Sequence, residues 1–254
     1  MTSLLRAAGL AAGICAAPAL AQSVDVTDMS AQERAAFRAE VRAFLLDNPE
    51  VLMEAMQVLE ERQAAMQAQA DAALIQANAA AIFETEDGPN WVGGNPEGDI
   101  TLVEFIDYRC SYCRRAHPEV RELIESDGNI RVVVKEFPIL GEQSVLASRF
   151  AIATRMVEGD AAYERMHDAL ITMRGEMNEL SLELLAEELG FDVEAITARM
   201  QDEEVADIIR ANYALAETLE INGTPSYVLG EQMVRGYVPL EGMRAIVEEE
   251  RGEG

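Results

Sequence analysis

The feature that most constrains this chain is Cys110-Ser111-Tyr112-Cys113, two cysteines three positions apart where a strand-like run gives way to a helical one. Thr101-Leu102-Val103-Glu104-Phe105-Ile106 is apolar and β-favouring, and Ser111 to Ile124 has helical character. Cys110 then stands at a helix N-terminus. Unpaired N–H groups and the positive end of the helix dipole lie there, and both favour a thiolate. Cys113 sits one turn further in, close enough to close a disulfide. Arg109, Arg114 and Arg115 flank the pair, and positive charge lowers a thiol pKa further, into a range of about 3.5 to 7.5. Two thiols so placed are the minimal device for thiol–disulfide exchange. The same spacing also makes half of a zinc site, so other stretches must decide.

Residues 1–21 read as a secretory signal peptide. Arg6 is their only charge, an apolar run from Ala7 to Leu20 follows, and Ala19-Leu20-Ala21 offers a small-x-small cleavage site. The run is short for a membrane span. Cys15 lies inside it, and Gly13-Ile14-Cys15 is a poor lipoprotein box. Cleavage leaves Cys110 and Cys113 as the only cysteines, with no second pair for a four-thiolate zinc site. Export to an oxidising compartment, the periplasm, then gives the pair a redox role. The formal net charge of -26 argues against nucleic acid and anionic membranes as partners.

Residues 22–82 read as a helical N-terminal extension. Ala31 to Leu46 is amphipathic, with Phe37, Val41, Phe44 and Leu45 on one side. Asp47-Asn48-Pro49 interrupts it; Asn48 is expected to cap a second helix and Pro49 to sit in its first turn. Along that helix Leu52, Met56, Leu59, Gln63, Met66, Ala70 and Ala73 alternate by four and three, the spacing of a coiled-coil seam. A long helix with one narrow stripe needs a partner helix, so residues 28–82 are expected to make a homo-oligomer. Residues 83–96, with Gly88-Pro89 and Gly93-Gly94-Asn95-Pro96, read as a linker whose glycines mark turns.

The domain from 97 to 254 carries the cysteines. Pro118 bends the helix after the pair. Ile130 to Glu136 is a second strand, making a βαβ unit and implying parallel pairing. Residues 144–219 read as an inserted helical subdomain of five helices. Ser226 to Leu229 and Met233 to Arg235 are strands, and Pro239 to Glu250 a last helix. The fold class is α/β.

Thr101 to Pro118, Lys135-Glu136-Phe137-Pro138 and Gly223-Thr224-Pro225-Ser226-Tyr227 together resemble the DsbA-like branch of the thioredoxin superfamily. The extension, with Leu45-Leu46-Asp47-Asn48-Pro49-Glu50-Val51 before an Ala/Gln-rich helix, resembles the N-terminal region of ScsC-type proteins, named for suppression of copper sensitivity. The resemblance implies a thioredoxin-like fold and a thiol–disulfide oxidoreductase or isomerase acting on disulfides of exported proteins. A membrane thiol–disulfide reductase or oxidase would reset it, and neither a cofactor nor a metal is implied. Cys110 matches the exposed attacking cysteine and Cys113 the buried resolving one. Pro225 matches the cis-proline beside the disulfide, with Thr224 before it; the Thr224 backbone would take a client as an added strand. Glu104 matches the buried acid and Lys135 its basic partner, together relaying the proton of Cys113. The dipeptide Ser111-Tyr112 departs from the Pro-His of strongly oxidising members and the Gly-Tyr common in isomerases.

Other residues have plainer readings. His117 is read first as a structural residue, with a charge near the thiolate as its functional alternative, and His167 as a helix-surface residue. Tyr112 covers the disulfide, Trp91 packs at the hinge, and Asp107 caps the active-site loop. Met156, Met166, Met173, Met177 and Met200 are core. Two other classes compete: a copper or zinc carrier with Cys110 and Cys113 as thiolate ligands, and a holdase chaperone with a vestigial pair.

Overall fold

The computed structural model describes residues 28–83 and 88–252. The expected signal peptide, with Cys15, lies outside the described residues. The chain divides into two compact units, one up to Glu60 and one from Glu61 onward.

In the first unit, α1 (Ala31–Asp47) opens on a capping box. Ser30 Oγ accepts from the Glu33 N–H at 3.3 Å, and the Glu33 carboxylate accepts from the Ser30 N–H at 2.9 Å. Asn48 ends this helix: its backbone N–H and its side-chain amide both donate to the Phe44 carbonyl, at 2.9 and 2.8 Å. The side chain expected to cap the next helix therefore serves the preceding one, whose last carbonyls lack helical donors. The second helix, α2 (Glu50–Ala77), follows at once. No residue of α1 is buried, and Phe37, Val41, Phe44, Leu52, Met56 and Leu59 are all exposed.

In the second unit, the end of α2 buries Asp71 and Ile75, and α3 (Ala79–Ile82) buries Ile82. Ile75 and Ile82 pack with Val103, Phe105, Val133, Phe137, Leu219 and Val228. Asp71 takes a two-pronged ion pair from Arg235, at 2.7 and 2.8 Å. Residues 61–82, assigned by sequence to the extension, thus belong with the sheet. Gln63, Met66, Ala70 and Ala73, from the expected seam, stay exposed.

The sheet contains β1 (Trp91–Gly94), β2 (Ile100–Ile106), β3 (Ile130–Glu136), β4 (Ser226–Leu229) and β5 (Gln232–Arg235), in the order β1-β3-β2-β4-β5. The β2–β3 pair is parallel, as the βαβ reading requires, and the other pairs are antiparallel. The expected linker at 83–96 contains β1, which pairs with β3 from Trp91↔Val134 to Gly94↔Arg131. Gly93 lies within the strand, and Gly94 ends it before a turn closed by the Gly98 N–H donating to the Asn95 carbonyl at 2.9 Å. A Cβ on Gly93 would stand 2.0 Å from the Trp91 ring, and Gly94 has φ +69°. Trp91 stacks on Tyr163 at 5.5 Å, so it packs, but on a strand.

The active-site helix α4 (Ser111–Asp127) links β2 to β3 and ends at Gly128 in the left-handed region. The helical block follows as α5 (Glu142–Glu158), α6 (Asp160–Thr172), α7 (Glu179–Leu189), α8 (Val193–Arg199) and α9 (Glu203–Thr218). The last helix is α10 (Leu240–Gly252). Met166, Met177 and Met200 are core, and Met156 and Met173 pack beside it.

Candidate active site

The strand β2 delivers its side chains alternately. Leu102 and Ile106 join the core cluster that also holds Cys110, Cys113, Val120 and Leu123, while Val103 and Phe105 join the opposite cluster. Glu104, in phase with Leu102 and Ile106, faces α4.

Beyond β2 the chain turns on Asp107. Its buried carboxylate accepts from the Arg109 N–H at 2.7 Å and from the Leu140 N–H at 2.9 Å. The capping reading of Asp107 holds. The turn places Cys110 at the N-cap of α4, where its Sγ accepts from the Cys113 N–H at 3.4 Å. The Thr224–Pro225 bond is cis, and the Thr224 carbonyl accepts from the Cys110 thiol at 3.1 Å. Thus Cys110, Cys113, Thr224 and Pro225 come together from α4 and the loop before β4. Both cysteines are free thiols.

The two sulfurs are driven apart in acidity. The Cys110 pKa is pulled down from 9.0 to about 5, chiefly by the hydrogen bond from the Cys113 side chain; burial opposes this, and the Cys113 and Tyr112 N–H groups assist. The hydrogen bonds of the helix terminus lead here, rather than the flanking arginines. Two of those are tied to carbonyls: Arg109 to Gly175 at 2.9 Å, Arg114 to Tyr108 at 3.0 Å. Cys113 is 1 % exposed, and its pKa is pushed far up, first by its hydrogen bond to Cys110 and then by burial. The pattern is that of a thiolate nucleophile beside a protonated resolving thiol.

Glu104 is buried, with a pKa raised to about 8; burial is the main cause, Tyr227 works against it, and the Glu136 charge adds to it. Tyr227 is its register partner on β4. Lys135 is not its basic partner. It pairs in register with Phe105, so it faces the other side of the sheet, where its Nζ donates to the Ala81 carbonyl at 2.9 Å.

The charged residue of β3 that faces the same side as Glu104 is Glu136. The hydroxyls of Tyr108, Tyr163 and Ser148 each donate to its carboxylate at 2.7 Å. Burial nonetheless raises its pKa to about 7. Tyr108 also meets His167 Nδ1 at 3.1 Å. His167, expected on a helix surface, is therefore buried, and its pKa falls to about 3 because burial disfavours the imidazolium. Sequence reading passed over Tyr108 and Glu136; the period-2 phase of β3 relative to Glu104 was the available signal. Tyr112 is 57 % exposed and stacks on Tyr237 at 6.4 Å, with Arg115 4.4 Å above the Tyr237 ring.

Residues 101–248 match the DSBA-like thioredoxin domain, more than half of the chain. The chain belongs to that family. Residues 33–65 match the N-terminal domain of the copper resistance protein ScsC. A thioredoxin-like oxidoreductase from Silicibacter pomeroyi DSS-3 is 42 % identical, with a TM-score of 0.64 over 68 % of this chain and 97 % of that one. Proteus mirabilis ScsC in a transitional conformation is 26 % identical, with a TM-score of 0.64 over 90 % of this chain and 99 % of its own. Among curated sequences, the Na(+)/H(+) antiporter NhaA 1 of Salinispora arenicola is 31 % identical over 156 residues; the match spans 61 % of this chain and 24 % of the antiporter, so about a quarter of that protein is shared. The chain thus combines a DSBA-like thioredoxin domain with an ScsC-type N-terminal region.

Proposed function

We propose that this protein exchanges disulfides of exported proteins in the periplasm through Cys110 and Cys113. One observation carries the reading: an N-cap sulfur with a pKa near 5 lies 3.1 Å from the Thr224 carbonyl, beside a buried thiol held protonated. The Cys110 thiolate attacks a client disulfide. One client sulfur leaves and takes up a proton, and a mixed disulfide remains on Cys110. Cys113 then gives its proton to Glu104 and attacks Cys110 Sγ, closing Cys110–Cys113 and releasing the second client thiol. If a client thiol attacks the mixed disulfide instead, the client is isomerised. The reverse sequence oxidises a dithiol, with Glu104 returning the proton to Cys113.

Thr224 and Pro225 flank the sulfur on the side where an extended client segment would align with the loop backbone. The exposed apolar stripe of Phe44, Leu52, Met56 and Leu59 supports a homo-oligomer, and ScsC-type residues 33–65 lie in the same stretch. An oligomer that shields its sites from an oxidising partner favours isomerase or reductase work, with a membrane reductase as the resetting partner.

The test is refolding of a scrambled-disulfide substrate by the full chain lacking residues 1–21. Turnover should vanish in Cys110→Ala, and Cys113→Ala should accumulate mixed disulfides. Retained turnover in Cys110→Ala would refute the chemistry. The assembly is tested separately by light scattering on Leu52→Glu/Met56→Glu, which should fall to monomer mass.

A further inference from the structure

Behind the active-site helix lies a cavity of about 510 Å³ between α4, α6 and the sheet. Glu104 lines it from β2, His117 from α4, and His167 and Asp168 from α6. His117 follows Cys113 by four residues, so it shares the helix face that carries the buried thiol. Its Nε2 lies 3.2 Å from Asp168 Oδ1, and Arg121 also pairs with Asp168. The His117 side chain is 13 % exposed and Asp168 33 %, so the pair reaches from the cavity to solvent. Lys135, facing the other side of the sheet, cannot serve Glu104 in this space.

We propose that His117, oriented by Asp168, exchanges the proton of Glu104 with solvent across this cavity. The proposal rests on Glu104 being the base for Cys113. With Nε2–H donated to Asp168, Nδ1 is left as the acceptor. The proton taken from Cys113 moves from the Glu104 carboxyl to His117 Nδ1 and then to water, which restores the Glu104 carboxylate. Oxidation of a client runs the same transfers backwards.

The chain has two histidines. His167 shares the cavity but is kept neutral by burial, so it does not load the proton. The other charged groups lining the cavity are Arg121 and Glu125 on α4, and Asp160 and Glu164 on α6. His117 is therefore a positioning and relay residue, not one that touches the reacting sulfurs.

The experiment prepares the full chain as a mixed disulfide between Cys110 and a single-cysteine peptide. Peptide release is followed by rapid acid quench and mass spectrometry from pH 5 to 9, in wild type, His117→Gln, Glu104→Gln and the double variant. His117→Gln should slow release about tenfold and flatten its pH dependence, below the full general-base effect of about 10²-fold or more expected for Glu104→Gln. The double variant should be no slower than Glu104→Gln alone. Asp168→Asn should change the pH profile in the same direction, which keeps the test alive if His117→Gln does not fold. If Glu104→Gln slows release while His117→Gln and Asp168→Asn leave the profile unchanged, the relay is wrong and the Glu104 reading stands. An equal slowing by His117→Gln in the Glu104→Gln background also overturns the relay. If Glu104→Gln has no effect, the underlying reading fails, and the relay with it.

Discussion

The two faces of the central sheet are built from the same strands yet do different work. Glu104 on β2 and Lys135 on β3 are both buried, and their strands are adjacent. One residue of phase separates them: Glu104 is opposite Val134, and Lys135 opposite Phe105. The face under α4 gathers Cys113, Glu104 and Glu136 with the hydroxyls of Tyr108 and Tyr163. The other face holds Ile75, Ile82, Phe105 and Phe137, with Lys135 donating to a carbonyl of α3. On one side the buried charges lie beside the thiols, where the proposed proton transfer would use them; on the other a buried charge anchors a helix, and strand phase separates the two.

The sharpest way to break that contrast is to substitute both charges. Glu104→Gln should slow Cys113 attack on a mixed disulfide by about 10²-fold. Lys135→Met should leave that rate unchanged and cost about 1–3 kcal/mol, because it removes the charged hydrogen bond to the Ala81 carbonyl; quench kinetics and urea melts read the two effects. A slow Lys135→Met with normal stability would show that the faces are coupled in the chemistry.

The next test cuts α2 from the second face. Asp71→Ala leaves Arg235, only 33 % exposed, without its carboxylate. Stability should fall by about 2 kcal/mol with exchange kinetics unchanged, and hydrogen exchange should rise along residues 67–77. A loss of thiol reactivity instead would place the anchor within the catalytic machinery.

A smaller effect concerns pH. Glu104 has a folded pKa raised to about 8, above its usual 4.5. A carboxyl raised in this way favours folding fully below its unfolded pKa, and that contribution is lost as pH rises through 8. Glu104→Gln should therefore raise the melting temperature relative to wild type more at pH 8.5 than at pH 5. Equal shifts at both would mean that Glu104 is not buried as a proton-holding acid.

Much of this was legible in the sequence, and the failures share a physical origin. The strands β2, β3 and β4 are apolar runs bounded by turn residues, so their limits came out within a residue. The cysteine pair announces itself by local chemistry, and Thr224 and Pro225 were found through the resemblance to DsbA-like sequences. Lys135 was misassigned because adjacency in sequence motifs does not give register; Phe105↔Lys135 is a property of the folded ladder. The strand β1 was hidden because Gly93 and Gly94 carry turn signals, whereas the Trp91 ring occupies the space a Gly93 side chain would need. The division at Glu60 falls inside one continuous helix, where neither composition nor caps change. His167 is buried by contacts with Tyr108 and Tyr163 that no local pattern encodes.

The central claim concerns one sulfur, and its acidity can be measured directly. The rate of iodoacetamide alkylation of the reduced protein, in a Cys113→Ala/Cys110 comparison with wild type, should titrate in wild type with a midpoint near 5. Replacing Cys113 should move that midpoint upward, because its side chain is the main donor to the thiolate. A wild-type midpoint near 8.5, the value of an ordinary thiol, would contradict the account.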